Sequence, residues 1–248
     1  MQAVILSGWL WLRMGESVRN IPKPMINVGD IPILIHIIDI YSHYWIKDFI
    51  ICAWYKSEIV INYFASQAWD KKLSIKKGNK TDFLYKDCHV KVVDTGLETQ
   101  TWGRIKKISP YISWIFHLTY WDWLSDINIT ELTNFHNENN GLVTLTAVNP
   151  LSNFGKLELD SNFVVNFEEK KKDYSTWING WFFVVDPECL SYINDESDTW
   201  ENILSKLTQE KKLVAYRHSW FWQCMDTFKD KEILEEIYKK WSAPWTHI

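Results

Sequence analysis

The sequence predicts an α/β protein with a doubly wound, mostly parallel sheet of the Rossmann-like type and a β-rich portion in its second half. Short apolar runs alternate with segments of helical periodicity as far as residue 148. This alternation is typical of a parallel sheet covered by helices on both faces. After Pro150, strand-like segments follow one another with little helix between them. The chain has 248 residues and no linker-like segment, so we expect a single domain over residues 1–248.

The first half supplies five predicted strands and three predicted helices. The strands are "AVIL" (3–6), "DFIICAWY" (48–55), "VKVVDTG" (90–96), "WIFHLTYWD" (114–122) and "GLVTLTAV" (141–148). The helices are "DIPILIHIIDIYSHY" (30–44), "SEIVINYFASQ" (57–67) and "ITELTNFHNEN" (129–139). In the first helix, Ile33, Ile37, Ile38 and Tyr41 share one face, as expected for a helix packed on a sheet.

The second half supplies four predicted strands and three predicted helices. The strands are "GKLELD" (155–160), "FVVNFEE" (163–169), "GWFFVVD" (180–186) and "KLVAYRH" (212–218). The helices are "PECLSYIN" (187–194), "WENILSKLTQE" (200–210) and "DKEILEEIYKKW" (230–241).

Composition and charge exclude several classes of function. The net charge of -4 provides no basic surface for nucleic acid, and we expect the basic run Lys71–Lys80 to be a solvated loop. No segment is long and apolar enough to span a membrane, and the first residues do not resemble a signal peptide. The cysteines Cys52, Cys88, Cys189 and Cys224 form no metal-binding or disulfide pattern. We therefore expect free thiols in a reducing cytoplasm.

The segment that follows the first strand has the character of a phosphate-binding loop. It reads S-G-x-L-x-x-R over Ser7–Arg13, with Lys23 further on between two prolines. Backbone amides could surround phosphate oxygens while Arg13 and Lys23 supply positive charge. As isolated residues, these two are more often simple surface charges. Trp9 and Trp11 stand where such a loop needs glycine.

Two aspartates are candidate ligands of a divalent cation. Asp122 ends a buried strand, and open α/β sheets bind ligands at that edge; the alternative is a turn-forming residue. Asp226 in "FWQCMDT" is the second candidate, and its alternative role is that of a helix N-cap. The histidines are scattered along the chain, and none is preferable as a general base.

Together these segments resemble the sugar-1-phosphate nucleotidyltransferases, in particular their cytidylyl-transferring branch. The resemblance covers nearly the whole chain and is weakest over Ala68–His89. It is carried by "AVILSGWLWLRM", "PKPM", "PILIHIIDIYSHYWIKDFIICAWYK", "VDTGLETQTWGRIKK", "TYWDWLSDINIT", "WINGWFFV", "FWQCMDT" and the terminal "APW". It implies the nucleotidyltransferase fold, with the β-rich portion on the sugar side.

The resemblance also implies a reaction and a set of site residues. CTP and α-D-glucose 1-phosphate would give CDP-glucose and pyrophosphate, with Mg²⁺ as cofactor, in a cytoplasmic enzyme that forms homo-oligomers. The implied nucleotide-binding residues are Leu6, Ser7, Gly8, Trp9, Leu10, Trp11, Leu12, Arg13, Thr99, Arg104 and Trp121. The implied sugar-phosphate-binding residues are Lys23, Glu169, Lys170, Asn179 and Gly180; the implied metal ligands are Asp122 and Asp226; and the implied catalytic residues are Arg13 and Lys23. Leu12 and Lys171 depart from the family pattern of threonine and proline at these positions. The alternatives are a related enzyme that uses UTP or dTTP, or an inert binding homologue.

Nine tryptophans occupy positions where the family carries glycine. They are Trp9, Trp11, Trp45, Trp54, Trp102, Trp121, Trp123, Trp181 and Trp220, and we call them the suspected positions. Trp45 also follows a predicted helix, at a point where glycine is favoured. The chain has only 9 glycines and 16 tryptophans, whereas average usage predicts roughly 17 glycines. A UGA codon that the host reads as glycine but that was translated as tryptophan would give this pattern. The rival explanations are a true pseudoenzyme and an artificial sequence.

Overall fold

A nine-stranded sheet forms the centre of the structure, a computed structural model that describes residues 1–7, 21–67, 75–149, 156–168, 176–195, 198–240 and 243–246. The strands are β1 (Gln2–Leu6), β2 (Asn27–Val28), β3 (Ile31–Pro32), β4 (Asp48–Ala53), β5 (Ile75–Lys77), β6 (Lys80–Tyr85), β7 (Cys88–Asp94), β8 (Phe116–Tyr120), β9 (Trp123–Ser125), β10 (Val143–Val148), β11 (Lys156–Asp160), β12 (Phe163–Glu168), β13 (Ile178–Val185), β14 (Leu213–His218) and β15 (Trp222–Cys224). Over the described ranges the central sheet has the order β14-β10-β13-β8-β1-β4-β7-β6-β5. Three small sheets pair β2 with β3, β9 with β15, and β11 with β12.

Most strands of the central sheet run in the same direction, as the sequence predicts. β8, β1, β4 and β7 are parallel neighbours, and β10 is parallel to β14. β13 and β6 run against their neighbours. In this register Leu6, the last residue of β1, lies between Cys52 and Tyr120. The ends of β1, β4 and β8 therefore form one edge, which we call the carboxyl edge, and β13 begins there because it is reversed.

Helices cover both faces of the sheet, which confirms the doubly wound arrangement. They are α1 (Ile33–His43), α2 (Ser57–Gln67), α3 (Thr101–Ile108), α4 (Ile129–Glu138), α5 (Trp200–Gln209) and α6 (Phe228–Lys239). Along β1, Ala3 and Ile5 belong to one buried cluster with residues of α1 and α6, whereas Val4 and Leu6 belong to another with residues of α3 and α5. Because both faces are buried, the central strands need apolar residues at successive positions.

Three of the differences from the sequence prediction concern helices. The first helix begins at Ile33 rather than Asp30, because Ile31–Pro32 pairs with Asn27–Val28 in a small hairpin. Helix α3 was not predicted, and the segment Pro187–Tyr192 is a 3-10 helix rather than an α-helix.

The basic run Lys71–Lys80 is not simply a solvated loop. Residues 75–77 form β5, which pairs with β6 across a turn at Gly78, and the φ of Gly78 is left-handed at 65°. Residues 71–74 lie outside the described ranges. The hairpin extends the central sheet at the end opposite to β14.

The second half contributes to the same sheet as the first. β13 and β14 join it, whereas β11 and β12 form a separate hairpin. None of the helices in the described ranges is long and apolar enough to cross a membrane. All four cysteines are unpaired, as expected, and Cys52, Cys88 and Cys189 are buried.

Candidate active site

The carboxyl edge gathers most of the described residues that the resemblance assigns to substrate. Ser7 directly follows β1, and its backbone N–H donates to the Cys52 carbonyl over 2.8 Å. Its hydroxyl is buried and has no hydrogen-bond partner in the described part of the chain. The predicted loop residues Gly8, Trp9, Leu10, Trp11, Leu12 and Arg13 lie outside the described ranges. The edge thus presents the end of β1 and an unused buried hydroxyl.

Backbone pairing brings Asp122 and Asp226 to the same place. Strand β9 begins directly after Asp122 and pairs with β15, which ends just before Met225. The Met225 N–H donates to the Asp122 carbonyl over 2.9 Å. Helix α6 is capped by the Thr227 side chain in a capping box with Asp230, so Asp226 is not the N-cap.

The Asp122 carboxylate is buried in an unusual electrostatic setting. Burial, and next the negative charge of Asp226, raise the pKa of Asp122 to about 7, while the positive charge of Lys23 opposes the rise. Its Oδ1 atom is buried without a hydrogen-bond partner among the described residues. A buried carboxylate beside a second carboxylate is stable as an anion only if positive charge is supplied. This chemistry fits a divalent cation.

The donor set agrees with Mg²⁺ better than with a structural metal. The described residues contain no group of three or more His, Cys, Asp or Glu side chains that could hold a metal. Mg²⁺ is usually held by one or two carboxylates, with substrate phosphates and water completing the shell. Asp122 and Asp226 would supply the two carboxylates.

Lys23 brings a buried positive charge to the same edge. It opens the 3-10 turn Lys23–Met25, directly after Pro22, and only 6% of its surface is exposed. Its Nζ atom lies 5.3 Å from the centre of the Trp121 ring, within the range of a cation–π contact. The same charge acts on Asp122, so the structure brings together the predicted residues Lys23, Trp121 and Asp122.

A cavity of about 250 Å³ opens beside the end of β1. Its lining includes Leu6, Trp54, Thr99, Arg104 and Tyr120. The size and position of this cavity suit part of a nucleotide. Leu6, Thr99 and Arg104 were assigned to the nucleotide by resemblance, whereas Trp54 and Tyr120 were not assigned to any ligand. Tyr120 could have been found from its position, because it is the last residue of the strand that precedes Asp122.

Arg104 and Thr99 act first as supports of the cavity wall. The Arg104 guanidinium donates to the Gly96 carbonyl over 2.6 Å and to the Leu97 carbonyl over 3.1 Å, and it lies 3.7 Å from the centre of the Trp54 ring. Burial lowers the pKa of Arg104 to about 10, so it stays charged at neutral pH. The Thr99 hydroxyl donates to the Thr95 carbonyl over 2.7 Å. Both side chains hold the turn that forms one side of the cavity.

The start of β13 brings Asn179 and Gly180 to the other side of the edge. The side-chain Oδ1 of Asn179 accepts from the Trp181 N–H over 2.9 Å, and the Gly180 backbone carbonyl accepts from Trp222 Nε1 over 2.9 Å. A Cβ atom on Gly180 would lie 2.7 Å from Val148 Cγ1, so this position requires glycine. The predicted residues Glu169 and Lys170 lie outside the described ranges.

Comparison with known proteins gives one consistent family. No family model matches the chain. The glucose-1-phosphate cytidylyltransferases of Salmonella typhi and of Salmonella typhimurium are each 39% identical to it over 254 residues, which span 99% of this chain and 98% of each relative.

Solved structures of low sequence identity show the same fold. HddC from Yersinia pseudotuberculosis has a TM-score of 0.70 at 18% identity, with 96% of this chain and 99% of that chain covered. A UDP-glucose pyrophosphorylase complexed with UDP-glucose has a TM-score of 0.68 at 12% identity, with 96% and 98% covered. The fold agrees with the site and with the full-length sequence similarity, and the chain belongs to the glucose-1-phosphate cytidylyltransferases.

Proposed function

We propose that this chain transfers a cytidylyl group from CTP to α-D-glucose 1-phosphate, giving CDP-glucose and pyrophosphate. The observation that carries the proposal is the buried Asp122 carboxylate, which interacts with the charges of Asp226 and Lys23 and has one oxygen without a hydrogen-bond partner among the described residues. Such a group at the carboxyl edge is suited to a metal-bound triphosphate. The full-length relatives carry the name of this reaction and support the choice of substrates.

The chemistry requires positioning and charge neutralisation rather than a protein base. A sugar-phosphate oxygen is already an anion, and it would attack the α-phosphorus in line while pyrophosphate leaves. The four buried histidines of the described ranges have other partners. The His36 ring contacts the Val28 carbonyl at 2.8 Å, and His136 contacts Thr144 at 2.8 Å. His117 Nε2 contacts the Thr133 hydroxyl at 3.2 Å, and His218 Nε2 contacts the Ser125 hydroxyl at 3.1 Å.

Each described residue then has a physical role. Lys23 would neutralise phosphate charge from within a buried site, where a charge acts more strongly than in water. Asp122 and Asp226 would hold Mg²⁺, which when bound shields the negative charge of the phosphates. Asn179 and Gly180 would face the sugar, and the cavity beside Arg104 would receive part of the nucleotide. Arg13, Glu169 and Lys170 remain predictions from the resemblance.

The proposal includes a cytoplasmic location and assembly into homo-oligomers. Unpaired cysteines are consistent with a reducing compartment. The oligomer is inferred from the resemblance alone, and gel filtration with light scattering would measure it.

The test is release of pyrophosphate from CTP, UTP or dTTP in the presence of glucose 1-phosphate and Mg²⁺. The assay uses the chain as sequenced (the tryptophan chain) and a chain with glycine at the nine suspected positions (the glycine chain). We expect CTP to be the preferred nucleotide. Preference for UTP or dTTP would indicate the related specificity instead. No turnover by either chain would favour an inert homologue, a candidate suggested by the indoles of Trp121 and Trp123 on either side of Asp122.

A further inference from the structure

We propose that glycine is the native residue at the suspected positions, encoded by UGA, and that the glycines at positions 121, 123 and 181 keep the carboxyl edge open for substrate. Seven of the positions are described: Trp45, Trp54, Trp102, Trp121, Trp123, Trp181 and Trp220. Trp9 and Trp11 lie outside the described ranges and are included on the basis of the sequence alone. The inference concerns the identity of the residues and does not depend on which nucleotide the enzyme uses.

Backbone conformation at two positions is the first line of support. Trp45 and Trp181 each have a φ of 64°, in the same left-handed region as Gly29 at 63° and Gly78 at 65°. An L-residue is strained there because its Cβ atom approaches the following carbonyl oxygen, and a bulky side chain is especially uncommon. Glycine has no Cβ and adopts this conformation without strain.

Trp45 also occupies a specific place in a helix-ending motif. The Ile46 N–H donates to the Tyr41 carbonyl over 3.2 Å, and the Trp45 N–H donates to the Ser42 carbonyl over 3.1 Å. These two bonds define a Schellman motif with Trp45 at the position where glycine is usual. The Trp45 side chain is 86% exposed, so little packing compensates for the strain.

Hydrogen bonding of the indoles is an independent line of support. Nε1 of Trp102, Trp121 and Trp123 is buried without an acceptor among the described residues. Buried Trp N–H groups usually find a partner, because an unmet donor is costly. Trp222 and Trp245, which are not suspected, do find one: the Gly180 carbonyl at 2.9 Å and His36 Nδ1 at 3.1 Å.

Trp200 is the exception, since it is not suspected and its Nε1 also lacks an acceptor within the described ranges. Its ring is stacked on that of Trp102, with ring centres 4.9 Å apart, and lies 5.5 Å from that of Trp181. Glycine at both of those positions would leave Trp200 facing an opened space. The burial of Trp200 Nε1 therefore depends on the rings of Trp102 and Trp181, which are both at suspected positions.

Three of the suspected indoles lie where the proposed substrates would bind. Trp121 and Trp123 flank Asp122 in sequence, and the Trp121 ring lies against the Lys23 ammonium. Trp123 is stacked between Trp222 at 4.8 Å and Trp181 at 6.1 Å. Removing the rings of Trp121, Trp123 and Trp181 would open the space beside Lys23, Asp122 and Gly180, where phosphate and sugar would bind.

The residue totals agree with this assignment. Changing nine tryptophans to glycine would give 18 glycines and 7 tryptophans in place of 9 and 16. Average usage predicts roughly 17 glycines in a chain of this length.

The coding DNA gives the first test, and its result does not depend on whether any chain folds. We expect UGA at all nine suspected positions and UGG at Trp177, Trp200, Trp222 and Trp245. UGG at the suspected positions would overturn the assignment and favour a pseudoenzyme. UGA at Trp177, Trp200, Trp222 or Trp245 would also overturn it, because the codon would then not separate the suspected positions from the other tryptophans.

The second test asks whether glycine opens the site. Thermal unfolding and calorimetric titration with CTP and Mg²⁺ compare the glycine chain, the tryptophan chain and a control tryptophan chain with Trp222→Gly and Trp245→Gly. We expect Tm to rise on the order of 10 °C in the glycine chain, CTP binding in that chain only, and a fall of Tm in the control. A glycine chain with a lower Tm than the tryptophan chain, or equal CTP binding by both, would overturn the inference.

Failure of the proposed function would give a different result. A glycine chain that is more stable but binds UTP or dTTP instead of CTP would contradict the CTP proposal and leave the glycine assignment supported.

Discussion

Tryptophan is accommodated in two different ways in two regions of this molecule. Where α1 meets the segment Pro244–Thr246, the Trp245 ring is 2% exposed, its Nε1 donates to His36 Nδ1, and it is stacked on Phe221 with ring centres 5.4 Å apart. At the carboxyl edge, Trp121 is equally buried at 1%, but its Nε1 has no acceptor in the described ranges. Both tryptophan rings are buried, but only Trp245 has a hydrogen bond for its indole N–H within the described ranges.

The difference shows where the protein departs from the usual rules of packing. Buried polar atoms are nearly always hydrogen-bonded in folded proteins. At the carboxyl edge, Ser7 Oγ and Asp122 Oδ1 also lack hydrogen-bond partners in the part of the chain that the structure describes. Functional sites are expected to depart from the packing and hydrogen-bonding rules that hold elsewhere in a protein. Two such departures lie together at the carboxyl edge: polar oxygens suited to bind a ligand, and indole rings in the space that the ligand would occupy.

The largest effect on activity should come from substitution of Asp122, and it can be compared with substitution of a surface aspartate. In the glycine chain, Asp122→Asn removes a charge that would hold Mg²⁺, and we expect kcat to fall on the order of 1000-fold. The matched control is Asp39→Asn, because Asp39 forms an exposed ion pair with Lys86 at 2.7 Å and such pairs contribute little. Pyrophosphate release measures both. Equal activity of the two variants would contradict the role of Asp122.

The next effect sharpens the contrast between the two tryptophans. Trp245→Ala should lower the free energy of unfolding by about 4 kcal/mol, because a well-packed and hydrogen-bonded ring is lost. Trp121→Gly in the tryptophan chain should lower the free energy of unfolding by at least about 2 kcal/mol less than Trp245→Ala does, since it also removes a buried N–H donor that has no acceptor among the described residues. Chemical denaturation measures both variants. A larger loss for Trp121→Gly would remove the distinction between the regions.

Acid should lower the free energy of unfolding through a buried histidine in the central sheet. Burial lowers the pKa of His117, in β8, to about 3 from the usual 6.5. The unfolded chain therefore binds more protons than the folded chain between these values, and stability falls as pH decreases below 6.5. His117 alone should contribute a loss of about 2 kcal/mol between pH 6.5 and pH 5.

His117→Gln is the variant that tests this contribution. Urea unfolding at pH 8, 6.5 and 5 should show a smaller acid loss in the variant than in the parent chain. An unchanged dependence on pH would show that His117 does not control acid stability.

The smallest effect concerns the exposed helix end. Trp45→Gly should raise the free energy of unfolding by about 1 kcal/mol, because glycine removes the left-handed strain. Lys211 provides a matched control: it has a φ of 56°, and the Lys212 N–H donates to the Leu207 carbonyl over 2.8 Å in the same motif. Lys211→Gly should give a similar gain. Destabilisation by Trp45→Gly alone would show that the indole makes a favourable contact.

Much of the fold could be predicted from sequence, because strand and helix patterns are strong in the first half. Helix α3 could not, because "TWGRIKKI" contains residues of low intrinsic helix propensity. Burial of Ile105 and Ile108 against the sheet stabilises that helix. The β5–β6 hairpin had a signal in Gly78–Asn79, a dipeptide that favours tight hairpin turns, but the surrounding lysines suggested a loop.

The site could be predicted only in part. Asp122 was identifiable because it ends a strand, and the edge where parallel strands end is a general place for ligands. Its proximity to Asp226 depends on the pairing of β9 with β15, each only three residues long. Strands this short carry no readable pattern, so their pairing required the structure. The sequence made Asp226 a second candidate carboxylate, but it did not show that Asp226 lies beside Asp122.

The hydrogen bond from Met225 to Asp122 has a consequence for the timing of biosynthesis. Strands β1, β4, β7 and β8 emerge first from the ribosome and can pair with one another early. Strand β13 and then β15 must be synthesised before Asn179, Gly180 and Asp226 reach the edge. The nascent chain can therefore build most of its sheet while it still lacks a complete site, and it gains that site only after residue 226 has emerged.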